Sequence, residues 1–346
     1  MTRKNRIRFV AAGASICSIG IVSGCGAPDL SAMQPHVQKQ AAAVLVVGNP
    51  NFMPTTPLTN TVPDNPMVLE TVETTSTSFL EKANEVLKNS EVTTCVVAVD
   101  DAGPLATDIS QLTQKYANVH FDILSNRAAT GVGGSNVAMV YLDENATDFA
   151  IGWLAGVWAN NLVKTQQLTL QPAIGYSVKG VSVNAQKAFF AGLYTVDPAA
   201  QVVPMVPVNG PNAVPLIYPT VSAVVVGGTV PQSVAQSIGA NAPFLFDLTG
   251  GTVSAPAPSI RPGHLDSSQV ANRLAQIPKG GWQAGDDPVV DPNCVDINPQ
   301  LMPPGVVSAW KSLSQSLEQS PNTWQSDYAK LPTSTQILLK SKFGVA

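Results

Sequence analysis

The sequence predicts an α/β fold built as two lobes that each contain a parallel sheet. Short runs of β-branched residues alternate with helical patterns, as in βαβ units. Several predicted strands are almost wholly apolar, such as Cys95–Val99 and Ala223–Val226, which suits a sheet covered on both faces. About 300 residues follow the N-terminal segment, more than a typical single domain holds, so two lobes are favoured.

The alternation can be followed from residue 44 to residue 247. The predicted strands are Val44–Gly48, Thr94–Asp100, His120–Leu124, Val137–Leu142, Ala173–Val178, Val202–Val208, Ala223–Gly228 and Pro243–Asp247. The predicted helices are Glu70–Asn89, Pro104–Tyr116, Asp143–Lys164, Asn184–Val196, Val230–Gly239, Gly305–Gln319 and Thr323–Lys342. Residues 248–305 are rich in Pro, Gly and Asp and interrupt the pattern. We expect lobe 1 to comprise residues 43–130 plus about 248–275, and lobe 2 residues 131–247 plus about 276–346, with a cleft between them.

The N-terminal segment has the pattern of a bacterial lipoprotein signal. Four basic residues precede an uncharged run from Phe9 to Gly24, too short to span a bilayer comfortably. The run ends in Val22-Ser23-Gly24-Cys25, which matches the lipobox at which the cysteine thiol receives a diacylglyceryl group. We therefore expect a signal peptide over residues 1–24 and acyl chains such as palmitate on Cys25.

Residues 25–42 are predicted to form a flexible tether after the lipidated cysteine. The expected location is the extracytoplasmic face of the cell membrane, with membrane lipid as one partner. Without residues 1–24 the chain has 15 basic and 23 acidic residues, a formal charge of −8 that gives no footprint for nucleic acid. Cys95 and Cys294 then remain, either as a disulfide or as two buried thiols.

Four segments resemble the basic membrane lipoprotein family of solute-binding proteins, in the family's order. They are Tyr116–Leu124; Asn136–Leu142 with Asp148–Ala159; Ala173–Gly180 with Ala188–Pro198; and Ala223–Gly228 with Phe244–Asp247. The resemblance covers roughly residues 90–250. It implies a type I periplasmic-binding fold with two Rossmann-like lobes, an ABC permease as partner and a small polar solute, such as a purine nucleoside, as ligand.

The resemblance also indicates where ligand contacts are expected. The family's first ligand loop corresponds to residues 47–54, where Asn51 and Phe52 stand in reversed order and Phe52 would stack on a base. The family's ribose-binding aspartate falls on Ser125, whereas Asp247 matches a second aspartate at a strand end. The family's lysine is missing, because residues 254–261 are rich in proline instead.

Strand ends provide the other candidates, because open α/β sheets bind ligands at the carboxyl ends of their strands. The full candidate set is Asn51, Phe52, Asp100, Asp101, Ser125, Asn126 and Asp247. The alternatives are a loop hydrophobe for Phe52, turn residues for the Asp100–Asp101 pair and a cap for Asp247. Gly152 and Gly156 lie four residues apart on a predicted helix, and we expect them to allow close approach of that helix to a sheet.

The sequence predicts a binding protein and no enzyme. It contains no Gly-x-Ser-x-Gly elbow, metal-binding motif or paired nucleophile and base, and we expect no metal and no cofactor. The acidic segment Asp286–Asp296 has oxygen ligands but neither the glycine nor the terminal Glu of an EF-hand, so a solvated loop is expected. The expected function is solute capture for an ABC importer; the alternative is a divergent lipoprotein that acts as a sensor or surface interaction module.

Overall fold

The computed structural model describes residues 41–54, 68–166, 172–205, 221–241, 243–250, 257–276, 279–291 and 293–345. The predicted signal peptide, Cys25 and nearly all of the predicted tether lie outside these residues. Residues 39–346 form one compact unit. Within the described ranges, no helix is both long enough and apolar enough to cross a membrane.

The elements alternate as the sequence predicts. The strands are β1 (Ala41–Val47), β2 (Val68–Thr74), β3 (Val92–Val99), β4 (His120–Ser125), β5 (Val137–Leu142), β6 (Ala173–Lys179), β7 (Gln201–Pro204), β8 (Val221–Gly228), β9 (Phe244–Asp247), β10 (Ile260–Pro262), β11 (Gly285–Val289) and β12 (Val295–Ile297). The α-helices are α1 (Phe79–Leu87), α2 (Ala106–Lys115), α3 (Glu144–Gln166), α4 (Val183–Val196), α5 (Gln232–Asn241), α6 (Ser268–Gln276), α7 (Pro304–Gln319), α8 (Thr323–Lys330) and α9 (Thr333–Phe343).

These strands form two six-stranded sheets. The first sheet has the order β11-β5-β4-β3-β1-β2, and the second has the order β12-β10-β9-β8-β6-β7. Neighbouring strands pair in parallel except β10 and β12, which are antiparallel. Five strands of each sheet follow the doubly wound order 2-1-3-4-5. The predicted α/β class with two mainly parallel sheets is confirmed.

Burial explains why the central strands are so apolar. Every residue of β1 is buried, and seven of the eight residues of β3 are buried, because helices cover both faces of the sheet. The edge strand β2 is mostly exposed and carries Glu70 and Glu73. Charged side chains on an edge strand discourage pairing with another chain. We predicted a helix from Glu70. Instead, residues 70–74, which are rich in Thr, belong to β2, and the helix begins at Phe79.

Helix α3 connects the two sheets and is buried along most of its length. Its glycine at position 152 lies against α4: a Cβ added there would be 2.0 Å from the carbonyl oxygen of Phe189. A Cβ on Gly192 of α4 would be 2.1 Å from the carbonyl oxygen of Phe149. The predicted close approach is therefore real, but it is between two helices rather than between a helix and a sheet.

Strand pairing differs from the expected lobe bounds at three places. β5 and β11 belong to the first sheet, although both fall in the range assigned to lobe 2. β10 belongs to the second sheet, although it falls in the range assigned to lobe 1. The strands β10, β11 and β12 and helix α6 all lie in the segment rich in Pro, Gly and Asp, where three to nine residues per element leave too little periodicity to detect.

The last predicted helix is divided in two. α8 ends at Lys330, and α9 begins at Thr333, immediately after Pro332. Proline lacks the amide hydrogen that a continuous helix needs, and it disfavours helical geometry in the residue before it. The predicted break-free helix over Thr323–Lys342 is therefore wrong.

Cys95 and Cys294 are free thiols in this structure. Both are fully buried, Cys95 in β3 and Cys294 just before β12. Burial raises the pKa of each thiol to about 12. Of the two alternatives that the sequence left open, the structure shows the buried thiols.

Candidate functional site

The carboxyl ends of both sheets border one polar cavity of about 340 Å³. Drug-sized ligand sites range from about 300 to 1,000 Å³. The first sheet contributes the loops that follow β1, β3 and β4, and the second contributes the loop after β9, the end of β10 and part of β12. The lining residues, which we call the outer cavity, are Asn51, Asp100, Asp101, Asn126, Arg127, Gly250, Arg261, Pro262, Gly263, His264 and Asp296.

Asp100 holds the first-sheet side of the outer cavity together. Its Oδ1 atom accepts hydrogen bonds from the Asn51 amide at 3.3 Å and from the Asn126 side chain at 3.1 Å. The Asn126 amide also donates to the Asp100 carbonyl oxygen at 3.1 Å. The neighbouring Asp101 accepts from the Gly103 amide at 2.9 Å, as in a turn. Three strand ends are thereby fixed relative to one another by one carboxylate.

Arg261 and Asp296 form the second-sheet side. They are cross-strand partners on β10 and β12, and the Arg261 guanidinium donates to Asp296 at 2.8 Å. About half of each side chain is exposed, so this pair faces the cavity in contact with solvent. The cavity therefore presents carboxylate acceptors and a guanidinium donor, which suits a solute that has both donors and acceptors.

Two hydrogen bonds connect the sides. The Arg127 guanidinium donates to the Gly250 carbonyl oxygen at 2.8 Å, joining the loop after β4 to the loop after β9. The Leu265 amide donates to the Asn126 side-chain oxygen at 2.9 Å, joining the same strand end to the segment after β10. Asn126 and Arg127 therefore each connect the first sheet to the second across the site.

A second cavity of about 190 Å³ adjoins the outer cavity and shares Asn126, Arg127 and Pro262 with it. We call it the inner chamber. Its other lining residues come from the loop after β4, from the first two turns of α3 and from the ends of β5 and β9. These are Ala128, Leu142, Glu144, Thr147, Asp148, Leu248 and Thr249.

Four of the seven predicted ligand residues line the outer cavity, namely Asn51, Asp100, Asp101 and Asn126. Their approach follows from parallel pairing, which brings strand ends to one edge of a sheet. That these side chains contact a ligand stays a prediction.

The other three predicted residues occupy different positions. Phe52 is 1% exposed and belongs to the same hydrophobic core cluster as Val44 and Val96, so its ring is not available for stacking on a ligand. Ser125 is buried, and its hydroxyl accepts from the Ala102 amide at 3.1 Å. Asp247 is also buried and accepts from the Thr249 amide at 2.9 Å, which is the cap that we considered as its alternative. All three act within the fold in this structure.

Sequence reasoning missed four charged or polar residues of the outer cavity. The matched segment ends at Leu124, three residues before Arg127, so the resemblance did not indicate this residue. Arg261, His264 and Asp296 lie in the segment rich in Pro, Gly and Asp, whose strands were not predicted. One Arg and one Asp, each in a strand of only three residues, form no pattern that a single sequence would reveal.

The described residues contain no group of three or more His, Cys, Asp and Glu side chains placed to hold a metal ion. In the acidic segment, Asp287 pairs with Arg273 and Asp296 with Arg261. Asp291 is 2% exposed and accepts from the amides of Asp266 and Asn293 at 2.8 Å. These carboxylates therefore hold the crossover segments of the chain in place.

No protein-family model matches this sequence, and no curated protein matches it. Among solved structures, a solute-binding protein of an ABC transporter system from Conexibacter woesei is 14% identical, with a TM-score of 0.49 over 81% of this chain and 97% of that chain. A solute-binding protein of an ABC transporter system from Aeropyrum pernix is 11% identical, with a TM-score of 0.44 over 88% and 98%. A transcriptional activator of the comK gene from Bacillus halodurans is 13% identical, with a TM-score of 0.48 over 82% and 99%. Likenesses this distant establish no family membership, and the resemblance to the basic membrane lipoprotein family stays a prediction.

Proposed function

We propose that this chain is a lipid-anchored, extracytoplasmic solute-binding protein that captures a small polar solute between its two sheets and delivers it to an ABC permease. The observation that carries the proposal is the polar cavity of about 340 Å³ at the facing carboxyl ends of both sheets. Its lining mixes carboxylates, amides, an imidazole and guanidinium groups. Such a lining favours a hydrogen-bonding solute over an apolar one.

The connections between the sheets support a closing motion. Among the described strands, the chain passes between the sheets three times, from β5 to β6, from β10 to β11 and from β11 to β12. Hinge motions are absorbed by a few residues in such crossovers, and a bound solute stabilises the closed form. The reaction cycle then consists of binding, closure and release, without covalent chemistry.

The ligand of this proposal is a small polar solute rather than a nucleoside in particular. The family's base-stacking aromatic corresponds to Phe52, which is in the core, and its ribose-binding aspartate corresponds to Ser125, which is buried. A pocket that has lost such anchors loses specificity for the ligand that they bind. The same observation favours the second candidate function, a lipoprotein of this fold that serves as a sensor or surface interaction module.

A thermal-shift screen of the purified protein tests the proposal. The library contains nucleosides, sugars, amino acids and small amines at millimolar concentration. A solute present at 100 times its dissociation constant stabilises the folded protein by about 2.7 kcal/mol, so at least one member should raise the melting temperature measurably.

The variant Arg261→Gln should abolish or weaken that shift, because it removes a guanidinium donor from the cavity. Lys311→Gln on the exposed face of α7 is the matched control and should leave the shift unchanged. Absence of a shift for every library member would exclude solute capture and leave the sensor or interaction module.

A further inference from the structure

The inner chamber contains a buried carboxylate that has no hydrogen-bond partner in the described part of the chain. Asp148 is 0% exposed, and neither of its carboxylate oxygens has a hydrogen-bond partner among the described residues. It lies in the first turns of α3, one helical turn after Glu144, and both side chains line the chamber. A buried carboxylate in a folded protein is nearly always hydrogen-bonded or paired, because leaving it unpaired is costly.

The charges around Asp148 come from four elements. Glu144 on α3 and Asp247 at the end of β9 are acidic, Tyr176 on β6 is buried nearby, and the Arg127 guanidinium after β4 attracts Glu144. Burial, followed by repulsion from Glu144 and Asp247, raises the pKa of Asp148 well above its ordinary value. Burial and the two neighbouring carboxyl groups therefore disfavour the ionised form of Asp148.

We propose that the inner chamber binds the ammonium group of the captured solute, with Asp148 and Glu144 as its acceptors. An ammonium group donates three hydrogen bonds and accepts none, so it matches two carboxylates that have acceptor capacity to spare. The chamber and the outer cavity share Asn126, Arg127 and Pro262 in their linings, so one solute can extend from the outer cavity into the chamber. This inference rests on the proposed function and specifies its ligand as a small organic amine.

Binding of the ammonium group releases one proton from Asp148. When the ammonium group enters, the Asp148 carboxylic acid releases its proton to solvent and becomes the carboxylate that pairs with the guest. The guest keeps its own charge. Binding is therefore coupled to deprotonation, and affinity for the amine increases as the pH rises.

Fluorine NMR with a matched pair of probes tests the proposal on the purified full chain. The probes are 3-fluoropropylamine and 3-fluoropropan-1-ol, which differ in the ammonium group. The amine should bind at least about tenfold more tightly than the alcohol, as expected for a charge-assisted hydrogen bond to a buried carboxylate. The amine's affinity should also increase between pH 5 and pH 8.

Two variants locate the effect. Asp148→Asn imitates the neutral acid in size and should remove both the preference for the amine and its pH dependence. Glu144→Gln should weaken the amine without removing the pH dependence that belongs to Asp148. Glu91→Gln, an exposed change in the loop before β3, is the control and should behave as the unmodified protein. Melting curves of each variant show whether it is folded.

Equal binding of amine and alcohol, or an unchanged preference in Asp148→Asn, would overturn the inference. The solute screen separates this failure from failure of the proposed function. If neutral solutes shift the melting temperature while the amine probe shows no preference, solute capture stands and the ammonium chamber does not. If no solute shifts the melting temperature and the amine probe shows no preference, both the proposed function and the ammonium chamber are excluded.

Discussion

Asp122 of β4 is another buried carboxylate, on the first sheet and outside the lining of the inner chamber. It is 1% exposed, and burial raises its pKa to about 6, while the nearby Arg273 guanidinium and Trp282 indole lower it from what burial alone would give. The Trp282 ring stacks on the His120 ring with their centroids 4.2 Å apart. The contribution of such a carboxyl group to the free energy of unfolding depends on pH.

We expect the stability of the protein to decrease as the pH rises from about 4 to about 7, in part because of Asp122. The folded state holds this proton more tightly than the unfolded state, so the stabilisation is complete below the unfolded pKa and is lost as the pH rises through the folded pKa. The shift from 3.8 to about 6 corresponds to about 3 kcal/mol at most.

Asp122→Asn removes the part of the pH dependence of stability that Asp122 contributes. Urea unfolding at a series of pH values should show equal stability for the variant and the unmodified protein near pH 4, and greater stability of the variant, by about 2 to 3 kcal/mol, at pH 8. Asp286→Asn, an exposed change on β11, is the control and should track the unmodified protein. A difference between Asp122→Asn and the unmodified protein that does not change with pH would contradict this account.

At the scale of elements, the crossing of α3 and α4 determines how the chain leaves the first sheet and enters the second. Gly152 and Gly192 let the two helix backbones touch, with each glycine against a carbonyl oxygen of the other helix. Glycine is unfavourable within a helix by about 1 kcal/mol relative to alanine, so close contact between backbones has to compensate for it. Helix α3 also places Asp148 and Glu144 in the inner chamber.

Gly152→Ala should destabilise the protein by about 1 to 3 kcal/mol or more, because the new methyl group would overlap the Phe189 carbonyl and force the helices apart. Gly239→Ala is the matched control. It lies on the exposed side of α5 with no atom within 4 Å of an added Cβ, and there alanine should stabilise by about 0.5 to 1 kcal/mol. Urea unfolding of both variants gives the comparison, and a loss of stability of similar size in both would show that helix propensity, not packing, decides.

Elements with a long pattern were predictable, and short elements were not. The continuous apolar run of β3 and the 23-residue α3 were identified with boundaries within two residues. By contrast, β10 and β12 have three residues each and pair antiparallel only because the chain returns to the second sheet. Their pairing is decided by tertiary contacts, which a single sequence does not contain.

The candidate site divides in the same way. Asp100 and Asn126 were found because they end well-marked strands, and strand ends meet at one edge of a sheet. Phe52 was placed at the site by resemblance, but its apolar ring is buried with β1 and β3 instead. Asp148 was not suspected, because an acidic residue near the start of a helix looks like an ordinary helix-dipole contact until its burial is known.

At the scale of the whole molecule, the function that we propose requires both attachment to a membrane and a solute site. The attachment is predicted at Cys25, outside the described residues, and no helix within the described ranges provides an alternative span. Two or more acyl chains hold a protein stably at a bilayer, whereas one chain holds it marginally.

Cys25→Ala should abolish incorporation of a clickable palmitate analogue in cells and move the protein from the detergent phase to the aqueous phase on Triton X-114 partition. Cys17→Ala is the matched control, because Cys17 lies in the predicted signal peptide, and its labelling should be unchanged. Continued labelling of Cys25→Ala would place the acyl group elsewhere or remove the anchor from the proposal.

The two buried thiols have a practical consequence for observing motion. With a pKa of about 12, each of Cys95 and Cys294 is ionised in about one molecule in ten thousand at pH 8, and the thiolate is the form that reacts with maleimides. In the processed protein that we propose, from which Cys17 is removed and in which Cys25 is acylated, cysteines introduced on the two rims of the cleft would therefore take fluorescent dyes selectively, with Cys95 and Cys294 left in place. The distance between a donor and an acceptor dye could then report, one molecule at a time, how often the cleft shuts.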